Sequence, residues 1–170
     1  MNNNFSIKIG KIMIAIAWLI VFIAAFLYFQ KHLDEQFNPN QQVIGQNNQG
    51  LREIKLKRNR SGHFIMNGLI NHYPVVFLVD TGATQVAIPM SIAKQLSLKI
   101  MGEYQVSTAA GYAKALRTRL QSVGVGNIEL KNVSASVIPS MTGNEVLLGM
   151  SFLKQFDMIF EGKYLTIREK

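Results

Sequence analysis

Cysteine is absent from the 170 residues of this chain. Its absence excludes disulfide scaffolds and thiolate metal sites, which leaves three histidines as the main candidate nitrogen ligands. His32, His63 and His72 are too scattered to form a pair one helical turn apart. We therefore expect no metal and no other cofactor. A chain without thiols suits an oxidising compartment but does not require one.

Other motifs are also missing. No serine stands in a Gly-x-Ser-x-Gly elbow, and the glycines near Gly124 and Gly126 are not followed by the Lys-Ser/Thr of a phosphate-binding loop. These absences argue against serine hydrolases and P-loop nucleotide-binding proteins. The glycine pair is instead typical of a hairpin turn.

Acidic residues are scarce: ten Asp and Glu face 18 Lys and Arg, for a net charge of +8. Five of the basic residues cluster at 52–60, and such a run could contact nucleic acid or anionic head groups. No aromatic residues are interleaved for base stacking, so we expect no nucleic-acid partner. A solvated strand edge or a contact with the membrane surface fits the cluster better.

One long apolar run is present near the amino terminus. Residues 12–29 contain no charged or amide side chain, which is just long enough for a helix that crosses the hydrocarbon core. A buried core helix would need a wet face, which the run lacks. A cleaved signal peptide is the other alternative, but the run is long for one and no small-x-small cleavage site follows it. We expect an uncleaved transmembrane helix.

The flanks of the run predict its orientation. Lys8 and Lys11 precede it, whereas Lys31 behind it is soon followed by two acidic residues. This bias predicts that the amino terminus, residues 1–11, is cytoplasmic and that the remainder is exported; for a bacterial chain this means the inner (cytoplasmic) membrane and a periplasmic domain. The reverse orientation, with a cytoplasmic domain, stays open. Residues 30–50 are rich in Asn and Gln, which predicts a polar stalk before a folded domain at 51–170.

The motif with the most chemical content is Asp80-Thr81-Gly82-Ala83-Thr84, directly after the apolar run at 75–79. A carboxylate is rarely placed at the end of a buried strand without a partner or a function. Asp and Gly are also common in ordinary turns, so the tripeptide alone is weak evidence. Its position between two strand-like runs favours a functional loop.

Two further patterns accompany this loop. Leu147-Leu148-Gly149 precedes a short helix predicted at 151–156. Between the two motifs, strand-like runs around 104–107 and 114–120 flank the small residues Thr108, Ala109, Ala110 and Gly111, which is typical of a hairpin. An ordinary surface turn is the alternative. With a helix expected at 91–98, capped near Ser91, nearly everything else in 51–170 reads as short strands, which suggests a small closed barrel.

Together these motifs resemble retropepsin-like aspartic proteases, in particular the membrane-anchored bacterial members, over roughly residues 51–170. The resemblance implies an all-β, small closed acid-protease barrel with one or two short helices, preceded here by the transmembrane helix. It implies a catalytic role for Asp80, a hydrogen bond from Thr81 across a two-fold axis, and close backbone approach at Gly82. Thr84 departs from the viral pattern, which usually has Asp.

The resemblance also assigns supporting roles. Leu148 and Gly149 would pack beneath the active-site loop, and residues 108–111 would form a flap over a protein or peptide substrate. An aspartic protease needs two carboxylates, yet the other aspartates, Asp34 and Asp157, are not followed by Thr-Gly. The second Asp80 would therefore come from a homodimer partner. The expected function is an aspartic endopeptidase, and the alternative is a non-catalytic peptide-binding or dimerisation module of the same fold.

Overall fold

The computed structural model describes residues 3–48, 50–108 and 111–170 and divides into two compact units, Met1–Gln36 and Phe37–Lys170. The first unit is helical, and helix α1 runs from Asn3 to Phe37. Its segment Gly10–Phe37 contains an 18-residue window with a mean hydropathy of 2.8 and is long and apolar enough to cross a membrane. The helix thus extends past both ends of the expected span at 12–29.

The second unit is built mainly from β-strands, as expected. The strands are β1 (Gly45–Asn48), β2 (Leu51–Lys57), β3 (Ile65–Ile70), β4 (Tyr73–Val79), β5 (Val86–Pro89), β6 (Glu103–Thr108), β7 (Gly111–Val125), β8 (Ile128–Ile138), β9 (Glu145–Leu148), β10 (Phe156–Glu161) and β11 (Tyr164–Glu169), with short helices α2 (Met90–Gln95) and α3 (Met150–Leu153). The all-β fold class is therefore confirmed. Residue 89, and not Ser91, precedes the first turn of α2, and no side chain caps that helix.

Seven strands form the larger sheet in the order β3-β4-β9-β5-β8-β7-β6. Two of its pairings, β4 with β9 and β5 with β8, are parallel. Strand β3 also pairs with β7, which brings the sheet back on itself through two residue pairs, Leu69 with Gly124 and Ile70 with Val123. The expected barrel is thus closed over only a short stretch.

The smaller sheet has the order β1-β2-β11-β10 and is antiparallel throughout. Alternation in β2 explains its packing, because Ile54 and Leu56 are fully buried while Lys55 and Lys57 are exposed. At one end, Arg52 donates from Nε to Glu169 at 2.9 Å. This ion pair raises the pKa of Arg52 and lowers the pKa of Glu169, mainly through the hydrogen bond between the side chains.

The core lies between the two sheets and the two short helices. Its largest fully buried side chains include Phe77 from β4, Leu148 from β9 and Phe152 from α3. Phe77 precedes the Asp80 motif, Leu148 belongs to the second motif and Phe152 follows it. The core therefore fixes the strand ends on which those motifs stand.

The segment expected as a polar stalk at 30–50 has a different structure. It is helical as far as Phe37, and Asn38 and Asn40 are 5% and 7% exposed. Asn40 donates from Nδ2 to the carbonyls of Lys57 and Ile65 and accepts at Oδ1 from the amide of Lys57, at 2.9, 2.7 and 2.7 Å. Polar residues can be buried in this way because the backbone supplies their partners. The folded unit accordingly includes residues upstream of 51.

Candidate active site

Asp80 is the first residue after β4. The strand carries it there because β4 pairs in parallel with β9, and the last residue pair of that ladder is Val79 with Leu148. The pairing continues one step further, since the amide of Asp80 donates to the carbonyl of Leu148 at 3.2 Å. Asp80 is half-buried at this position. An acid is thus placed at the end of a rigid strand.

The loop that follows is folded around this carboxylate. The amide of Gly82 donates to Oδ1 of Asp80 at 2.9 Å, and the amide of Ala83 donates to the carbonyl of Asp80 at 3.3 Å. Within the described residues, Oδ2 of Asp80 and the hydroxyl of Thr81 have no hydrogen-bond partner. Thr81, Gly82 and Thr84 are exposed. The loop therefore orients one carboxylate oxygen and leaves the other available.

Gly149 lies directly beneath the loop. A Cβ atom at this position would lie 2.2 Å from the carbonyl oxygen of Gln85 and 2.6 Å from that of Ala83. Both contacts are to backbone, so no side chain could move aside. The next amide, that of Met150, donates to the carbonyl of Ala83 at 2.8 Å. The close approach that only glycine permits thus brings β9 and α3 against the loop.

Helix α3 also supports the far end of the loop. Oγ of Ser151 accepts a hydrogen bond from the amide of Val86 at 3.0 Å. Val86 begins β5 and is fully buried. The loop between Asp80 and Val86 is therefore fixed at both ends, by strand β9 at one side and by helix α3 at the other.

The predicted hairpin is present. Strands β6 and β7 are antiparallel, and their register ends with Thr108 opposite Gly111. Gly111 has a φ of 107°, a backbone conformation that L side chains rarely adopt. Ala109 and Ala110 of the expected flap lie outside the described residues. Tyr112 follows the tip and is 84% exposed.

A hydrogen-bonded cluster joins the base of this hairpin to the loop. The hydroxyls of Tyr104 and Ser136 lie 2.5 Å apart, and Oγ of Ser136 donates to Oε1 of Gln85 at 2.9 Å. Ser136 is only 3% exposed. The guanidinium of Arg117 lies over the Tyr104 ring, 4.8 Å from its centroid. Sequence reasoning missed these residues, and only the position of Gln85 directly after the motif could have pointed to one of them.

A cleft of about 510 Å³ opens beside the loop. Its walls include Thr84 and Gln85 from the loop, Lys131 from β8, and Ser151 and Lys154 from the region of α3. None of the lining residues is acidic. The two lysines form no ion pair within the described part of the chain.

The remaining candidates do not join the site. Asp157 lies in β10 opposite Arg168, and their side chains are 4.0 Å apart. Across the described residues, no three His, Asp or Glu side chains come together in a way that could hold a metal ion. Each copy of the folded unit therefore presents one aspartate of the Asp-Thr-Gly type.

Comparison with known proteins bears on this arrangement. A protein-family model described as "gag-polyprotein putative aspartyl protease" matches residues 66–155, just over half of the chain. The matched range includes both Asp80 and Gly149. A crystal structure of a retropepsin-like aspartic protease from Rickettsia conorii is similar with a TM-score of 0.58 and 30% sequence identity. The match covers 75% of this chain and 96% of that one.

Two curated proteins are similar in sequence. An uncharacterized protein in the cobV 5' region of Sinorhizobium sp is 31% identical over 154 residues, which are 84% of this chain and 66% of that protein. The uncharacterized protein RP867 of Rickettsia prowazekii (strain Madrid E) is 35% identical over 108 residues, 61% of this chain and 46% of that protein. The chain thus spans about two thirds of the first relative and about half of the second.

Proposed function

The chain belongs to the retropepsin-like aspartic protease family, and from this premise we propose that it is a membrane-anchored aspartic endopeptidase, active as a homodimer. The observation that carries the proposal is the state of Asp80. It is half-buried at the end of a core strand, its Oδ1 is held by the Gly82 amide, and its Oδ2 is unpaired within the described residues. A structural turn would not need this second oxygen.

The chemistry requires two such carboxylates that share one proton. In the proposed cycle, the ionised Asp80 takes a proton from water as the water oxygen attacks the peptide carbonyl carbon. The protonated Asp80 of the second copy donates a hydrogen bond to the carbonyl oxygen and so stabilises the charge that develops there. Return of a proton to the amide nitrogen then accompanies cleavage of the C–N bond.

A homodimer is proposed because one copy of the chain offers one suitable aspartate and the chemistry requires two. One folded unit contributes one Asp80, and Asp157 is engaged near Arg168 on a different sheet. A two-fold axis beside the loop would bring two copies of Asp80 together. The exposed Thr81, whose hydroxyl has no partner within the described residues, could then hydrogen-bond to the partner loop. The residues Ala83 and Thr84 complete each loop.

Peptide binding would use the hairpin of β6 and β7. Its tip, residues 108–111, would close over an extended peptide and donate or accept backbone hydrogen bonds, as in β-strand addition. Closure would also exclude water from the reacting bond. The exposed aromatic ring of Tyr112 next to the tip would be available for a substrate contact.

Membrane attachment is proposed from α1. Its apolar segment is long enough to span the bilayer, and the lysines before residue 12 favour a cytoplasmic amino terminus with the catalytic unit in the periplasm. In this orientation the protein would be a single-pass protein of the inner membrane. Confinement of two copies to one membrane would raise their effective concentration and favour the dimer.

The test of the enzyme is a substitution at Asp80 with a matched control. Asp80→Asn keeps the size of the side chain and the acceptor for the Gly82 amide but removes the shared proton, so cleavage of a mixed peptide library should drop by at least about a hundredfold. The Asp157→Asn variant should cleave the library as fast as the unsubstituted protein. Pepstatin should inhibit both of these proteins. Equal cleavage by folded Asp80→Asn protein would support the non-catalytic module instead.

A separate experiment tests the topology. A reporter that is active only in the periplasm, fused after Lys170, should be active, and the fusion should stay in the membrane fraction at full length. A reporter that is active only in the cytoplasm should be silent at the same position. The opposite pattern would show that the transmembrane helix has the reverse orientation. A soluble fusion that starts near Lys31 would identify a cleaved signal peptide.

A further inference from the structure

The cleft beside the active-site loop offers hydrogen-bond donors and positive charge but no acid. Lys131 and Lys154 contribute ammonium groups, and Thr84 and Gln85 line the cleft where it meets the loop. We propose that this cleft is a subsite for a carboxylate, which a Glu or Asp side chain of the peptide substrate would provide. The inference rests on the proposed function and adds a substrate class to it.

The orientation of the Gln85 amide supports this assignment. Ser136 donates to Oε1 of Gln85, and Tyr104 in turn lies within hydrogen-bond distance of the Ser136 hydroxyl. The oxygen end of the amide faces these two hydroxyls and accepts from both, from Ser136 at 2.9 Å and from Tyr104 at 3.5 Å. Nε2 has no partner within the described residues and is not among their buried unpaired atoms. The Gln85 amide therefore presents its two N–H groups to solvent.

The lysines are free to bind an anion. Neither Lys131 nor Lys154 forms an ion pair within the described residues. A third cation is close, because Nζ of Lys170 donates to the backbone carbonyl of Lys154 at 2.8 Å. The lining thus carries two ammonium groups and no carboxylate, which favours the binding of an anion.

The geometry of the chain limits which substrate position can reach the cleft. Thr84 is four residues beyond Asp80, so their Cα atoms are separated by no more than about 14 Å. An extended peptide rises by about 3.3 Å per residue. A side chain in the cleft would therefore belong to a residue within about four positions of the bond that is cleaved.

The position of Thr84 adds a chemical reason. A carboxylate at that position, as in the viral pattern, would repel an acidic side chain of the substrate at the entrance to the cleft. Here the loop offers the Thr84 hydroxyl instead, which can donate to an anion at no charge cost. The loop therefore adds no negative charge to the positively charged cleft.

The test compares Glu with Gln in the substrate. Full-length protein that carries Asp80→Asn, in detergent, is mixed with fluorescent peptides in which one position, up to four residues from the centre, is Glu or Gln. Fluorescence anisotropy measures the binding. At one position we expect Glu to bind more tightly by about threefold to tenfold, since a partly exposed ion pair contributes modestly.

Variants locate that preference. In the double variant Lys131→Gln and Lys154→Gln the Glu preference should fall to about one, whereas Lys163→Gln, a lysine outside the cleft lining, should keep it. Gln85→Glu keeps an acceptor for Ser136 but replaces the N–H donors with an anion, so it should reverse the preference. Cleavage by protein with an intact Asp80 should show the same ranking in kcat/KM.

Two outcomes would overturn the inference. They are the absence of a Glu preference at every position, and a preference that survives in the double lysine variant. The result can be separated from that of the proposed function, because binding is measured on an inactive variant. Cleavage without a Glu preference would refute the subsite alone, and a lysine-dependent Glu preference without any cleavage would refute the enzyme alone.

Discussion

Replacement of Asn40 by alanine tests whether the residues before β2 belong to the folded unit. Asn40 lies in the segment that the sequence predicts to be a stalk, yet it is 7% exposed. Its side chain connects the end of β2, at Lys57, to the start of β3, at Ile65. A stalk residue could be replaced without effect, whereas a residue in this position cannot.

The expected magnitude follows from the three side-chain hydrogen bonds. Each such bond contributes about 0.5–1.5 kcal/mol, and the loss of a partner leaves backbone groups of Lys57 and Ile65 unpaired in a buried setting. Partial rescue by water would offset some of this loss. We therefore expect Asn40→Ala to lower the free energy of unfolding by about 2–4 kcal/mol.

The assay is urea denaturation of the fragment Phe37–Lys170, followed by circular dichroism. For a slope of about 1–3 kcal/mol per molar urea, the midpoint should fall by about 0.7 M or more. Asn48→Ala is the control, because Asn48 is exposed and makes one long hydrogen bond of 3.5 Å to Glu53. It should change the free energy of unfolding by less than about 0.5 kcal/mol. Equal midpoints for the two variants would refute the reasoning and would indicate that the segment around Asn40 is a stalk outside the folded unit.

Three further predictions concern stability. A fragment of residues 51–170, which lacks the Asn40 contacts, should unfold at lower urea than Phe37–Lys170. Gly149→Ala should destabilise the fold by several kcal/mol (about 3 or more) because the new Cβ meets two backbone carbonyls, whereas Gly124→Ala, with contacts of 3.8 Å and longer, should be tolerated in the same thermal melts. The pKa of Glu169 is lowered in the folded state, so its contribution to stability is present above its unfolded pKa of about 4.5 and is lost as the pH falls through the folded value. Thermal melts between about pH 6 and pH 3 should show this loss of stability. The Glu169→Gln variant should not show it.

The loop at Asp80 could be predicted because its determinants are local in the sequence. The apolar run before Asp80 predicts a buried strand, and the turn residues predict where the strand ends. Gly149 was found from the second motif, and the structure supplies the physical reason for it, since a Cβ at Gly149 would overlap the loop backbone. Periodicity and turn chemistry suffice for the Asp80 loop because each acts within a few residues, whereas Gly149 is singled out by the family resemblance.

The segment around Asn40 could not be predicted for the opposite reason. Asn and Gln are typical of linkers, and their burial depends on partners that lie 17 and 25 residues further along the chain. No local pattern encodes such a pairing, because any strand end offers the same carbonyls and amides. The contacts of Gln85 with Tyr104 and Ser136, which lie 19 and 51 residues away, escape sequence reasoning in the same way.

The two unpaired groups of the loop, Oδ2 of Asp80 and the hydroxyl of Thr81, would both find partners in a second copy of the chain. Asp80 holds a half-buried carboxylate beside the exposed Thr81, and neither its Oδ2 nor the Thr81 hydroxyl has a partner within the described residues. Selection for stability alone would replace Asp80 with a residue such as Asn or Ser, which can accept the Gly82 amide without a charge. A two-fold partner changes this balance, because its Asp80 can share a proton with the first and its loop can pair with Thr81. In the proposed dimer, the open Oδ2 of Asp80 would be the atom that meets the attacking water and the second carboxylate.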